Sequence, residues 1–401
     1  MDTLKNEKVK NAVMIGTLCS LTYLGVYFAR NILGAVSPQM IERGIFTTEY
    51  IGSLSSLFFI CYAIGQLING AIGERVKAVY MISCGLIFAG VCCYLFTVLY
   101  EVDIAVKAVY GLAGFSLSMV YAPMVKTVAE NTEPAHATRC SLGFTFSSFL
   151  GSPIAGVAAG FFLWDIAFRT CSAVLLIMGA LVFTVFFLFE RRGVIKYGGY
   201  TAKAKNKQGF AILIKHRIIK FTFISIITGV VRTTVVFWMP TYISQYLGFS
   251  SAKSAKIFTV ASFVISMTAF IAVFIYEKVM KSNMDMMLFA SFASAVIWFG
   301  MVFITKNPLL NIIFLIIAIM SSNSAGSMLW SRYCPSLRDT GMVSTATGYL
   351  DFMSYTAASI SSTMFANAVS VIGWHNLILT WMALMLAGAL ICIPFKQIKS
   401  K

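Results

Sequence analysis

Long apolar runs alternate with short polar breaks along almost the whole chain, from Val13 to Pro394. Each run holds 18 or more residues, and a helix needs ~20 apolar residues to cross the hydrocarbon core of a bilayer. The pattern predicts twelve spans: 12–40, 48–73, 78–99, 104–126, 138–162 and 166–189, then 218–247, 256–276, 285–304, 308–331, 342–369 and 373–395. The first span is too long for a signal-peptide core and lacks a small-residue cleavage site, so it is expected to stay in the mature chain. The segment Glu190–Lys220 is the one long polar break, with Arg191-Arg192, Gly198-Gly199, Lys203, Lys205 and Lys207. It separates six spans from six. The expected organisation is a six-helix bundle over 1–189, a basic cytoplasmic linker over 190–217, and a second six-helix bundle over 218–401.

The two halves share a spacing. Arg30 sits within the apolar run Val13–Val36 and is followed by Pro38; Arg232 sits within Phe221–Leu247 and is followed by Pro240. Both members of this R-x7-P pattern recur 202 positions later. Glu74-Arg75 at the end of the second span and Glu277-Lys278 at the end of the eighth lie 203 apart. A guanidinium does not readily lose its proton, and placing one in lipid costs at least ~2.5–3.5 kcal/mol by insertion scales. Two such costs at matching places predict a water-lined cavity between parallel repeats that holds an anion, as in secondary transporters.

Composition agrees with the pattern. Hydrophobic residues are 59% of 401, charged residues 11% and mean hydropathy is +0.82, far more apolar than a soluble domain. The net charge of +16 suggests a nucleic-acid partner until its distribution is considered. If the spans alternate, 23 of the 31 Lys and Arg fall on one side, including Lys5, Lys8, Lys10 and nine between Arg191 and Lys220; six fall on the other. The positive-inside rule then makes both termini and the central linker cytoplasmic in a multi-pass inner-membrane protein, with the bilayer as partner and no nucleic acid. The nine cysteines lack metal-ligand spacing and read as packing residues. No nucleophile triad, His/Cys/Asp/Glu cluster or phosphate-binding glycine loop is present, so neither an enzyme nor a cofactor is expected.

The residues around the arginines resemble a known family. Gly70-x-x-Gly73-Glu74-Arg75-x-Lys77 is similar to the loop 2–3 signature of the major facilitator superfamily, with Glu74 where aspartate is usual. Tyr23-x3-Tyr27-x2-Arg30-Asn31 with Pro38 resembles the first helix of the organophosphate:phosphate antiporters, the glycerol-3-phosphate and hexose-phosphate transporters. Arg232 with Trp238-x-Pro240-Thr241-Tyr242 resembles their seventh helix; Tyr121-x-Pro123-x2-Lys126 and Gly348-x6-Tyr355 resemble the fourth and eleventh. The resemblance implies an all-α membrane protein of twelve transmembrane helices in two six-helix pseudo-repeats. It also implies that Arg30 and Arg232 bind the phosphate moiety.

Tyr23, Tyr27 and Arg30 are spaced i, i+4, i+7 and share one helix face. Arg can grip a phosphate or carboxylate through two parallel N–H···O bonds, which lysine cannot do. Tyr23, Tyr27, Gln66, Tyr121, Lys126, Trp238 and Tyr355 are the further lining candidates. Gln66 stands where the resembling family carries a lysine, and 143–152 lacks the histidine found in its fifth helix. Ser141, Thr145, Ser148 and Ser152 form a stripe there instead, read as close helix packing or ligand contact. Asp351 is the one acid inside a span, a charge balance for an arginine or a proton acceptor. Glu74, Arg75, Glu277 and Lys278 are candidates for charge pairs that break when the halves rock. The function expected first is exchange of an organophosphate or sugar phosphate for inorganic phosphate by alternating access, in a functional monomer. The alternatives are a proton-coupled importer of a carboxylate or sugar acid, with Asp351 as the protonation site, and a transporter-like membrane sensor of such an anion.

Overall fold

A computed structural model describes residues 2–72, 76–196, 211–337 and 343–394, and nearly all of them are helical. The first six helices are α1 (Asp2–Glu42), α2 (Thr48–Ile72), α3 (Ala78–Val98), α4 (Asp103–Asn131), α5 (Pro134–Phe161) and α6 (Trp164–Arg191). A short α7 (Ala211–Lys215) follows. The apolar runs leave no water to satisfy the backbone, so each run closes its hydrogen bonds within itself. The helix of the first run begins at Asp2, because the polar residues ahead of the apolar run continue the helix without a break.

The second set of helices is less regular. The seventh span comprises α8 (Ile218–Gly229), a π-helical turn (Val230–Val235) and α9 (Val236–Gln245). The eighth comprises α10 (Ser251–Ser266), α11 (Thr268–Phe274) and a π-helical turn over Ile275–Val279. Then come α12 (Met284–Ile304), α13 (Pro308–Met328), a third π-helical turn (Leu329–Tyr333), the single turn α14 (Cys334–Ser336) and α15 (Val343–Ile391). Asn283 and Asn307 cap α12 and α13, their Oδ1 atoms accepting backbone N–H groups at 3.0–3.2 Å.

Ten helical segments are long and apolar enough to cross a membrane among the described residues, and the apolar stretch Phe146–Phe161 of α5 is shorter. The tenth, Ala346–Ile391, is 46 residues long and breaks at Gly373, with φ 74° and ψ 167°. That region of backbone space is essentially glycine-only. The break turns one continuous apolar stretch into the eleventh and twelfth spans, and with α5 the twelve spans of the sequence reading are accounted for.

The chain divides into two compact units, Met1–Lys203 with Phe249–Phe263, and Ala204–Gly248 with Val264–Lys401. In unit 1 the pairs α1–α5, α2–α4, α3–α4 and α3–α6 pack extensively. Small residues set their approach: a Cβ at Gly151 of α5 would overlap Tyr27 of α1, and one at Gly65 of α2 would overlap Ser118 of α4. Gly156 of α5 likewise lies against Thr259, which accounts for the grouping of Phe249–Phe263 with unit 1. In unit 2, α12 packs on α13 and α15, and α8 on α15.

Gly151→Val is expected to lower the melting temperature of the detergent-solubilised protein by an overpacking penalty of about 1–3 kcal/mol. Gly348 has nothing within 4 Å of a built Cβ. Gly348→Ala should therefore leave the transition unchanged or raise it slightly through helix propensity. Equal losses in the two variants would refute close packing at Gly151.

Candidate functional site

Arg30 is only 5% exposed in the middle of α1. Its Cζ lies 5.0 Å from the ring centroid of Tyr27, 5.4 Å from Phe59 and 5.8 Å from Tyr62. Tyr27 is three residues back on the same helix. Phe59 and Tyr62 are three apart on α2 and so present neighbouring rings. Cation–π attraction offsets part of the lost hydration, by about 0.5–2 kcal/mol per favourable ring. Tyr23 stacks on Tyr121 of α4, centroids 5.2 Å apart, and meets Tyr27 edge-on at 5.0 Å and Phe144 of α5 at 6.3 Å. Tyr23, Tyr27, Arg30 and Tyr121 therefore form one cluster. Gly151 lets α5 close its side at Tyr27.

Gln66 is half-buried on α2, next to the Gly65 that presses on Ser118. Lys126 is half-buried on α4, five residues past Tyr121. The side chains of Ser141 and Thr145 lie outside the described residues, as do Glu74 and Arg75 of the loop signature. Lys77 of that signature pairs with Glu190 at 2.5 Å, tying the start of α3 to the end of α6. The Glu190 bond holds the Lys77 pKa above its ordinary value.

In unit 2, Arg232 lies on the π-helical turn Val230–Val235, where the α-helical hydrogen-bond ladder is interrupted. Such turns recur at functional positions because they re-aim side chains. Its Cζ is 5.8 Å from the ring of Trp330 and 5.9 Å from that of Tyr355. Trp330 is on the third π-helical turn and Tyr355 on α15. Hydroxyls fix α15 against the arginine helix. Ser225 donates to Leu350 O at 2.7 Å, and Thr234 donates to Ala358 O at 3.1 Å and lies 2.9 Å from Ser361. A Cβ at Gly229 would overlap the Ser354 side chain, so the glycine lets α8 and α15 close on one another. Asp351 is half-buried one turn before Tyr355, on the same face of α15.

Trp238 is 1% exposed and packs edge-on to Phe237 and Trp374, so it belongs to the packed interior of unit 2 rather than to the rings around Arg232. Glu277, on the π-helical turn Ile275–Val279, pairs with Arg332 on the turn that also carries Trp330; Lys278 is exposed.

The sequence reading missed Phe59, Tyr62 and Trp330, which supply three of the five rings facing the two arginines. The Phe59-x2-Tyr62 pair at helical spacing was the available signal; for Trp330 there was none.

A family model described as Major Facilitator Superfamily matches residues 19–363. The chain belongs to the Major Facilitator Superfamily. Membership makes it a multi-pass membrane protein with a transporter fold rather than an enzyme. Solved structures share the facilitator fold. A D-xylose–proton symporter superposes with TM-score 0.74 at 11% identity over 97% of this chain and 98% of that one. A bacterial homologue of the human lysosomal transporter Spinster, inward-facing and unoccupied, gives 0.75 at 12% over 95% and 96%. Among curated proteins, the membrane sensor protein UhpC of Salmonella typhimurium is 37% identical over 76 residues, 19% of this chain and 17% of that protein. The mouse glucose-6-phosphate exchanger SLC37A2 is 23% identical over 257 residues, 53% of this chain and 51% of that protein. These matches thus span from under a fifth to about half of the relatives' length.

A double-mutant cycle tests the ring contact in this facilitator. Phe59→Leu should destabilise the wild-type protein more than it does the Arg30→Met background, with a coupling of about 0.5–2 kcal/mol in detergent unfolding. A coupling of zero would remove the cation–π account of how Arg30 is buried.

Proposed function

We propose that this chain is a secondary active transporter that exchanges an organophosphate or sugar phosphate for inorganic phosphate by alternating access. One observation carries the reading: two arginines at duplicated positions within apolar spans, each faced by aromatic rings inside its own unit. Rings lower the cost of burying the cation. Each arginine donates parallel N–H···O bonds to phosphate oxygens. Tyr23, Tyr27, Tyr121 and Tyr355 add hydroxyls beside them, and Gln66 and Lys126 line the path, while Trp238 supports the Arg232 helix from the packed interior. The similarity to the mouse glucose-6-phosphate exchanger supports the substrate class.

In this reading the bundles 1–189 and 218–401 rock about the linker 190–217, in the inner membrane of the cell, with both termini cytoplasmic and one chain sufficient. The Glu277–Arg332 pair, with Glu74, Arg75 and Lys278, biases that motion; surface pairs contribute only ~0–1 kcal/mol each. Phosphate returning through the same site resets the carrier, so no proton is needed. Two further readings each have an observation behind them. Asp351, half-buried one turn from Tyr355, favours proton-coupled uptake of a carboxylate or sugar acid. The UhpC matches, named membrane sensors, favour sensing without transport.

Proteoliposomes loaded with phosphate and supplied with labelled glucose 6-phosphate separate the three. Phosphate-dependent uptake indifferent to a pH gradient is expected, reduced about 10- to 100-fold in Arg30→Lys or Arg232→Lys. Gradient-driven uptake abolished by Asp351→Asn would establish the proton-coupled reading. Binding without uptake would establish the sensor. If both lysine variants bind and transport normally, the anion clamp is wrong under every reading.

A further inference from the structure

Four helix ends of unit 2 meet away from its C-terminus, where α9 stops at Gln245, α12 stops at Ile304, α13 begins at Pro308 and Gly373 breaks α15. They enclose a recess of about 670 Å³ whose lining includes Tyr246, Leu247, Phe303, Lys306 and His375. The volume falls within the range of small-molecule sites. Its walls are pinned. His375 Nδ1 lies 3.0 Å from the Tyr246 hydroxyl, and the imidazole stacks on Phe303 with centroids 4.1 Å apart. Trp374 Nε1 donates to Gln245 Oε1 at 2.9 Å, which holds the start of the last helix to the end of α9. Behind the recess, buried Asn311 accepts from the Tyr242 hydroxyl at 2.6 Å and donates to Val302 O at 2.9 Å. A tyrosine phenol is protonated at neutral pH, so the Tyr246 hydroxyl can donate.

The charge around this recess has one sign. No Asp or Glu occurs anywhere in 230–276, 286–338 or 352–394, and none lines the recess. Lys306 and His375 are both exposed there. With Nδ1 facing Tyr246, the imidazole Nε2 is the nitrogen left to meet a ligand. Phe303 and Tyr246 offer ring faces and Leu247 an aliphatic one.

We propose that this recess is a second anion site, which takes a phosphate group carried on an organic body. The Lys306 ammonium and His375 Nε2 hold the phosphate, and the Phe303, Tyr246 and Leu247 surfaces hold the body. The proposal rests on the anion-carrying reading above. On the topology inferred from the basic residues, this end faces away from the cytoplasm, so the site would concentrate ligand where it arrives. The same chemistry fits a soluble sugar phosphate and a lipid phosphate headgroup at the membrane surface.

Equilibrium dialysis of labelled glucose 6-phosphate against the full chain in phosphatidylcholine nanodiscs tests it. Two equivalents per chain are expected. Lys306→Gln with His375→Ala should remove one of them, or weaken it at least about tenfold, as loss of charge-assisted bonds implies. Lys306→Arg, which keeps the charge, should retain both and shows that the loss is not misfolding. Arg30→Lys with Arg232→Lys should remove the other equivalent only. Binding lost with Lys306 and His375 but indifferent to the arginines would sustain the recess and defeat the central clamp. A single equivalent that vanishes with the arginines and ignores Lys306 and His375 would overturn the recess site. Phosphatidylglycerol nanodiscs separate the sources. If the recess equivalent disappears and native mass spectrometry finds phosphatidylglycerol retained by the wild type but not by Lys306→Gln, the phosphate belongs to a lipid; unchanged dialysis assigns it to the soluble ligand.

Discussion

Backbone amides within hydrocarbon have no water to bond to, and nearly every feature of this facilitator follows from that constraint. It makes each apolar run a helix that satisfies itself. It also sends hydroxyls back to their own helix: Thr22 donates to Leu18 O at 2.8 Å, and Thr222 to Ile218 O at 2.9 Å. Interruptions of the ladder are therefore costly and informative. Among the described residues the three π-helical turns all lie in unit 2, and they carry Arg232, Glu277, Trp330 and Arg332. The irregular backbone coincides with the charged and aromatic residues that the functional reading uses.

The arginines show how a duplicated motif acquires two environments. Arg30 is ringed from its own helix and from α2 on a regular helical backbone. Arg232 meets one ring from a π-helical turn and one from α15, across an interface laced by Ser225 and Thr234. Both solutions use ring faces, which soften the desolvation cost. The repeat kept the cation and changed the rings around it.

The ends of the helices obey different rules from their middles. There water and headgroups are available, so Asn283 and Asn307 cap backbone amides, and Lys77–Glu190 and Glu277–Arg332 pair at the surface. At the far end of unit 2, a Gly373 turn gathers Lys306, His375 and three aromatic or aliphatic faces around a pinned recess. Sequence hydropathy passes over such a place, because its residues lie at three separate short breaks.

The number of spans and the exceptional arginines were legible in the chain itself. A 20-residue apolar run has one stable backbone in lipid, and a buried guanidinium stands out against it whatever its neighbours are. The i, i+4, i+7 spacing was enough to put Tyr23, Tyr27 and Arg30 on one face. Which rings meet those cations was decided only in three dimensions. Phe59 and Tyr62 come from another helix, and Trp330 is aimed by a π-helical turn that no local propensity announces. The division of the run after Val343 into spans 342–369 and 373–395 was legible as well; that Gly373 makes the turn, at φ 74° and ψ 167°, was decided by the structure. Periodicity along one helix specifies a face; the rotation and depth of its neighbours, set by glycine contacts such as Gly151 on Tyr27, determine what that face meets.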